Sequence, residues 1–310
     1  MSLILRFLGT SASRPTVERN VSSIAVIREG ETLMFDCGEG TQRQMMRYGI
    51  SFALMDIFFT HMHADHMLGV IGLLRTLALQ GRTEPMNLYG PVGSEKLLWR
   101  AITLGSEKQH FEIKVFEVTP ETPLKRHGYS IVPFTVEHGD RTAIGYHLVE
   151  ETRLGRFNPE KAREMGIPEG PLWGKIHKGE TVQLADGRTI KPGELVGPSR
   201  PGRRVVLTGD SRPSEGTITA ATGADILIHE ATFATEEAPR ALETGHSTAR
   251  EAAEVAAKAG VKKLVLTHVS ARYSRDTSEL EREAREVFAA TIIARDGMEI
   301  EVPFESAPAD

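Results

Sequence analysis

The stretch IFFTHMHADHMLGV, residues 57–70, places His61, His63, Asp65 and His66 within six positions directly after an apolar run. Ile57 to Thr60 reads as a short buried strand and Met67 to Leu79 as a helix, so the cluster sits at a strand-to-helix junction. In an extended segment His61 and His63 project to the same side and can grip one metal together. The turn that follows can swing Asp65 and His66 toward a second ion. Imidazole nitrogen with carboxylate oxygen suits Zn²⁺, with Mn²⁺ or Fe²⁺ as substitutes. A structural zinc site is closed and usually rich in cysteine, and Cys37 is the one cysteine in this chain. The metals therefore read as catalytic, with open positions for water and substrate.

The same pattern recurs downstream. VPFTVE ends at His138, VVLTG at Asp210, DILI at His229 and KLVLT at His268. Strand ends are rigid points that open onto loops, where a fold holds several ligands with little slack. Further strands are expected at Leu3 to Leu8, Ser23 to Arg28, Thr32 to Asp36, Ile131 to Val136, Thr142 to Val149, Arg204 to Thr208, Asp225 to Ile228 and Lys263 to Thr267. Helical spacing appears at Thr41 to Tyr48 and at Thr248 to Ala259, where Ala249, Ala252, Ala253 and Ala256 share a face behind the cap Ser247. The class is α/β with an appreciable antiparallel share, two sheets between layers of helices.

At 310 residues, with 40% hydrophobic and 25% charged side chains, the chain has the composition of a folded enzyme. No window is long and apolar enough for a membrane span, and the start MSLILRFLGTSASRP reads as a strand rather than a leader. A lone Cys37, read as a small buried residue, fits the reducing cytoplasm. Net charge is −5, which argues against a strongly basic nucleic-acid binder, but residues 150–204 hold 11 Lys+Arg against 8 Asp+Glu. There the strand-helix rhythm gives way to GIPEGPLWGKIHKGE, LADGRTIKPGE and GPSRPGRR. A functional insertion is the reading, with a solvated linker as the alternative.

The HxHxDH pattern at 61–66, with His138, Asp210 and His268 in order behind it, resembles the metallo-β-lactamase superfamily. HEATF at 229–233, GHST at 245–248, THVSARY at 267–273, FLGTSASRP at 7–15 and DCGEGTQ at 36–42 resemble the ribonuclease Z family, in its short form, over nearly the whole chain. The resemblance implies one metallo-β-lactamase-type αββα sandwich domain over 1–310, with residues 150–204 as an inserted flexible tRNA-binding arm, or exosite. It implies two Zn²⁺ per chain, one held by His61, His63 and His138, the other by Asp65, His66 and His268, with Asp210 bridging. Asp65 is then the base, His246 the acid for the departing 3′ oxygen, and Glu230 the group that orders its imidazole. Asp36 is expected to order the ligand loop. Lys161, Arg163 and Lys175 on the arm and Ser270 and Arg272 near the site are candidate tRNA contacts. His110, His127, His147 and His177 match no ligand position. The implied activity is zinc-dependent removal of the 3′ trailer from precursor tRNA by a cytoplasmic homodimer. PTVERN at 15–20 departs from the family's PxKxRN loop, with Val17 at the lysine position. Two rival classes are a hydrolase of small esters and a non-catalytic RNA-binding module.

Overall fold

The computed structural model of the chain describes residues 2–105 and 110–305. Period-two burial sets its first strand: in β1 (Leu3–Gly9) Leu3, Leu5 and Phe7 are buried on one face while Ile4 and Arg6 are half-buried. The chain continues through β2 (Ser23–Arg28), β3 (Glu31–Phe35), β4 (Asp56–Phe58), β5 (Met86–Pro91) and β6 (Ile113–Val118). Then follow β7 (Leu124–Arg126), β8 (Tyr129–Thr135), β9 (Ile144–Glu150), β10 (Val182–Gln183) and β11 (Thr189–Ile190). Last come β12 (Arg204–Leu207), β13 (Ile226–Glu230), β14 (Leu264–Thr267), β15 (Thr291–Ile293) and β16 (Glu299–Glu301).

Among the described residues two seven-stranded sheets form, in the orders β16-β1-β2-β3-β4-β5-β6 and β15-β14-β13-β12-β9-β8-β7. β1 to β3 are antiparallel and β3 to β6 parallel; β12 to β15 are likewise parallel. Parallel strands carry all their carboxyl ends to one side, which is where open α/β sheets bind ligands. The loops after β4, β12, β13 and β14 leave from such ends.

Phe7, Val26, Phe35 and Phe58 of the first sheet share one core with Ile131, Tyr146, Val205 and Ile228 of the second. The helices Thr41–Tyr48, Gly69–Leu79 and Glu95–Thr103 pack on the outer face of the first sheet. Glu215–Ala221, Ala249–Ala259 and Ser278–Val287 cover the other. The αββα layering expected from the resemblance is what forms.

Two local expectations are corrected. The cap of Ala249–Ala259 is Thr248, whose hydroxyl takes the Glu251 N–H while Glu251 returns to the Thr248 N–H; Ser247 instead donates to the Ser211 carbonyl. The predicted helix Met67 to Leu79 is two, Ala64–Met67 and Gly69–Leu79. The break brings Gly69 against the loop DCGEG: a Cβ at Gly69 would lie 1.8 Å from the Gly38 carbonyl oxygen. Cys37 N–H donates to the His66 carbonyl and Gly69 N–H to the Cys37 carbonyl, which zips that loop to the metal-ligand helix. Most of residues 150–204 lie in a folded unit, which the alternative of a solvated linker does not describe. Among the described residues, Val149–Gly202 with Phe304 and Glu305 form a compact unit, and the rest of the chain up to Pro303 forms another. The first has helices Pro159–Glu164 and Pro171–His177, the hairpin β10–β11, and a small core of Ala162, Ile167, Ile176, Val182, Leu184, Ile190 and Leu195.

Candidate metal centre

His61 and His63 follow β4, and Asp65 and His66 lie on the one-turn helix Ala64–Met67. His138, Asp210 and His268 come from the loops after β8, β12 and β14. All three loops contain left-handed backbone, the first at Gly139 with φ 60. Gly209 has φ 64, and His268 itself has φ 54, uncommon for a residue with a side chain.

The seven side chains converge. His61 Nε2 lies 2.9 Å and His138 Nε2 3.4 Å from His63 Nδ1. His66 and His268 approach at 3.3 Å through their Nε2 atoms, and Asp65 Oδ2 is 3.3 Å from His268 Nε2. Asp210 divides its carboxylate between the two groups. Its Oδ2 faces His61 Nε2 at 3.5 Å and His138 Nε2 at 3.9 Å, and its Oδ1 faces His66 Nε2 at 3.3 Å and His268 Nε2 at 3.2 Å.

The outer nitrogens decide what the inner ones can do. His66 Nδ1 bonds Asp36 Oδ2 (2.7 Å), His138 Nδ1 the Gly245 carbonyl (2.8 Å), His268 Nδ1 Thr232 Oγ1 (3.0 Å) and His61 Nδ1 Thr60 Oγ1 (3.1 Å). A carbonyl only accepts, so His138 donates from Nδ1 and turns Nε2 toward the cluster. Nitrogen and carboxylate donors held from behind in this way are the surroundings of metal ligands. Asp210 Oδ1 is buried with no hydrogen-bond donor among the described residues, an arrangement that a cation relieves. The donor set therefore fits a divalent metal.

The protonation tendencies differ across the cluster. Burial, then the neighbouring His66, holds His61 well below its usual value, and burial with His138 brings His63 to about 4. Burial opposes the charge on Asp210, but the surrounding His268, His66 and His61 hold it ionised. Burial lowers the His66 value, but Asp210 and then Asp36 outweigh it and hold it well above the usual one.

His246 and Glu230 adjoin this cluster. His246 Nδ1 sits 2.7 Å from Glu230 Oε1 and 4.0 Å from Asp210 Oδ2. The wholly buried Glu230 also accepts from the amides of Ser211 (2.9 Å), Ser247 (3.1 Å) and Thr232 (3.3 Å) and from Thr232 Oγ1 (2.6 Å). Burial lowers the His246 value, but Glu230 outweighs it and raises it to about 9. With Nδ1 committed, Nε2 is the atom left for chemistry. His246 lines a cavity of about 190 Å³ with Ser13, Arg14, Phe233, Arg240, Ser270 and Arg272.

Of the candidate tRNA contacts, Ser270 and Arg272 reach that cavity, although Arg272 is also ion-paired to Glu237 and lies over Phe233. Lys161, Arg163 and Lys175 belong to the separate Val149–Gly202 unit, where Arg163 pairs with Glu169 at 2.7 Å. His229, a strand ending like the others, lies outside the cluster, its Nδ1 at 2.8 Å from the Glu230 carbonyl. Sequence reading missed Thr60, Thr232 and the Gly245 carbonyl as supports. The two threonines flank the motif residues, but a carbonyl leaves no trace in residue identity.

Comparisons with known proteins bear on this geometry. A family profile described as a beta-lactamase superfamily domain matches residues 176–269, and one described as anti-Pycsar protein Apyc1 matches residues 3–151. The chain is 62% identical over 311 residues to a ribonuclease Z of Gemmatimonas aurantiaca, covering 100% of this chain and 99% of that one. It is 50% identical over 305 residues to a ribonuclease Z of Myxococcus xanthus, covering 98% and 99%. The crystal structure of the short form of human tRNase Z superposes with a TM-score of 0.71 at 28% identity, covering 97% and 100%.

Proposed function

Because the chain belongs to the ribonuclease Z family and has the metallo-β-lactamase fold, we propose that it is a zinc-dependent endoribonuclease that removes the 3′ trailer from precursor tRNA. The observation that carries this reading is the junction of the seven-donor cluster with the His246–Glu230 pair, whose imidazole lines a cavity beside Ser270 and Arg272.

His61, His63 and His138 would hold one cation, Asp65, His66 and His268 the other, and Asp210 would be shared. Bound there, two divalent ions supply the Lewis acidity that makes water nucleophilic near neutral pH and neutralises phosphate charge. Zn²⁺ suits this donor set best, with Mn²⁺ or Fe²⁺ as substitutes. The chain's own groups then handle the protons. Asp65 takes the proton of the attacking water. His246 gives the proton on Nε2 to the departing 3′ oxygen, which leaves a 3′-hydroxyl on the tRNA. Glu230, held ionised against its burial chiefly by His246 itself, keeps the imidazole charged and aligned until that transfer.

The Val149–Gly202 unit serves as the inserted arm that grips tRNA, with Lys161, Arg163 and Lys175 on the phosphate backbone. Ser270 and Arg272 hold a phosphate beside His246. Two copies of the chain pair, each arm serving the partner's site, and the enzyme works in the cytoplasm. Among the described residues no helix is long and apolar enough to cross a membrane.

Incubating purified protein with a 3′-extended precursor tRNA and mapping the cut tests the reading. Cleavage that a chelator abolishes and zinc restores, with about two zinc ions per chain by elemental analysis, is the expected result. Hydrolysis of small esters with an intact precursor would instead favour a small-molecule hydrolase, and binding of tRNA without cleavage a recognition module.

A further inference from the structure

The catalytic chemistry leaves PTVERN at 15–20 without a role, and the structure divides this stretch in two. Val17 stands 95% exposed, whereas Arg19 is buried. Arg19 donates through Nη1 to Thr10 Oγ1 (2.7 Å) and to the Ala294 carbonyl (2.6 Å). Asp296 is the hub beneath. Its Oδ1 accepts from Thr10 Oγ1 (2.8 Å), and its Oδ2 from the Asn20 amide (2.6 Å) and Gln44 Nε2 (2.8 Å). Gln44 Nε2 also donates to the Leu8 carbonyl (2.7 Å), and Asn20 Nδ2 to the Glu39 carbonyl (2.8 Å). Both ends of the loop 10–20 are thus fastened to one carboxylate.

The same loop is laced to the segment after His268. Ala12 N–H donates to the Val269 carbonyl, and Val269 N–H to the Thr10 carbonyl. Between these ties Ser13 has φ 61, a left-handed conformation that a residue with a side chain keeps only where its surroundings impose it. In that conformation the Ser13 amide donates to Asp65 Oδ2 at 2.7 Å. A carboxylate that binds a metal needs such a second partner to fix its orientation.

We infer that Asp296 is a positioning residue: by closing the loop 10–20 it holds the Ser13 amide against Asp65, and so sets the carboxylate that completes the second metal site. The inference rests on the dinuclear reading above. It assigns Arg19 and Asn20 of PTVERN to anchoring and leaves only the exposed Val17 region to face a substrate.

Asp296→Asn keeps the shape of the side chain but turns a donor toward the Asn20 amide and Gln44, and Gln44→Leu cuts the same anchor from the helix Thr41–Tyr48. Zinc release to a chromophoric chelator is followed on the purified full chain, beside kcat and KM. For both variants one of the two zinc ions should leave about tenfold faster or more, with kcat on bis(p-nitrophenyl) phosphate reduced on the same scale. KM for precursor tRNA and release of the other ion should stay at wild-type values, and the melting temperature should change little. Wild-type release of both ions overturns the inference. So does loss of both in step with a lowered melting temperature, since the network is then only structural. A wild-type chain that binds fewer than two zinc ions fails the dinuclear reading and this inference with it. A wild type that binds two but spares precursor tRNA fails the proposed substrate alone, and the zinc measurement still decides the role of Asp296.

Discussion

His246 reaches the ligand cluster, and its Nδ1 is taken by Glu230 at 2.7 Å rather than by the Asp210 carboxylate at 4.0 Å. If Nε2 is the proton donor, His246→Ala should slow single-turnover cleavage roughly a hundredfold or more. Zinc content and tRNA affinity should hold, and loss of zinc in proportion to activity would make His246 a ligand instead. Glu230 needs a gentler probe. Removing its carboxylate strands the amides of Ser211, Ser247 and Thr232 in a dry interior, so Glu230→Ala should lose stability by about 2 kcal/mol or more. Glu230→Gln keeps the shape, and combined with His246→Ala it should be little slower than His246→Ala alone, because residues that act as one unit are not additive. His147 gives a separate prediction. Burial and then Arg204 hold it at about 4, against 6.5 for the unperturbed group. It is neutral in the fold, so its contribution is whole above about pH 6.5 and is lost as pH falls toward 4. His147→Gln should flatten denaturant stability against pH across that window; an unchanged slope would mean that other groups carry the acid sensitivity.

At the scale of elements, the helix Ala249–Ala259 links fold to site. Ala249, Ala252, Ala253 and Ala256 are fully buried, and their small size lets the backbone pack closely on the second sheet. Its cap partner Glu251 also binds Arg212, and Arg212 Nη1 donates to the His246 carbonyl at 2.7 Å. Thr248→Ala should cost about 1 kcal/mol in chemical denaturation, the usual size of a lost cap. Zinc stoichiometry should be unchanged, since the other cap partner still fixes His246 from the Arg212 side. A cap variant that loses zinc would show that the helix start, and not the loop, holds the site.

For the whole molecule the division of charge matters most. The chain carries −5 overall, yet the segment 150–204 holds 11 basic and 8 acidic residues. Deleting residues 152–198 should cripple precursor tRNA cleavage and leave bis(p-nitrophenyl) phosphate hydrolysis largely intact, because the Val149–Gly202 unit has its own core and the metal ligands all lie outside it. Affinity for tRNA should fall as salt rises. Equal loss of both activities would mean that the unit supports the fold.

The sequence alone determined the class and the kinds of ligand. An imidazole or carboxylate at the end of a hydrophobic strand is visible locally, because strand and turn are short-range patterns, and HMHADH, His138, Asp210 and His268 could each be named that way. It also placed the inserted segment, where the apolar periodicity stops. Only the tertiary structure decided which oxygen of Asp210 faces which histidines, that His229 lies outside the cluster, and that the Ser13 amide meets Asp65. It moved the helix cap from Ser247 to Thr248, since the two hydroxyls differ in what lies across from them and not in chemistry. The same holds for the small core inside residues 150–204, whose apolar residues are too scattered to show a period. Backbone amides and carbonyls belong to every residue alike. Their partners are chosen by packing across long separations, as Asp296 to Asn20 and Gly245 to His138 demonstrate, and no local pattern encodes them.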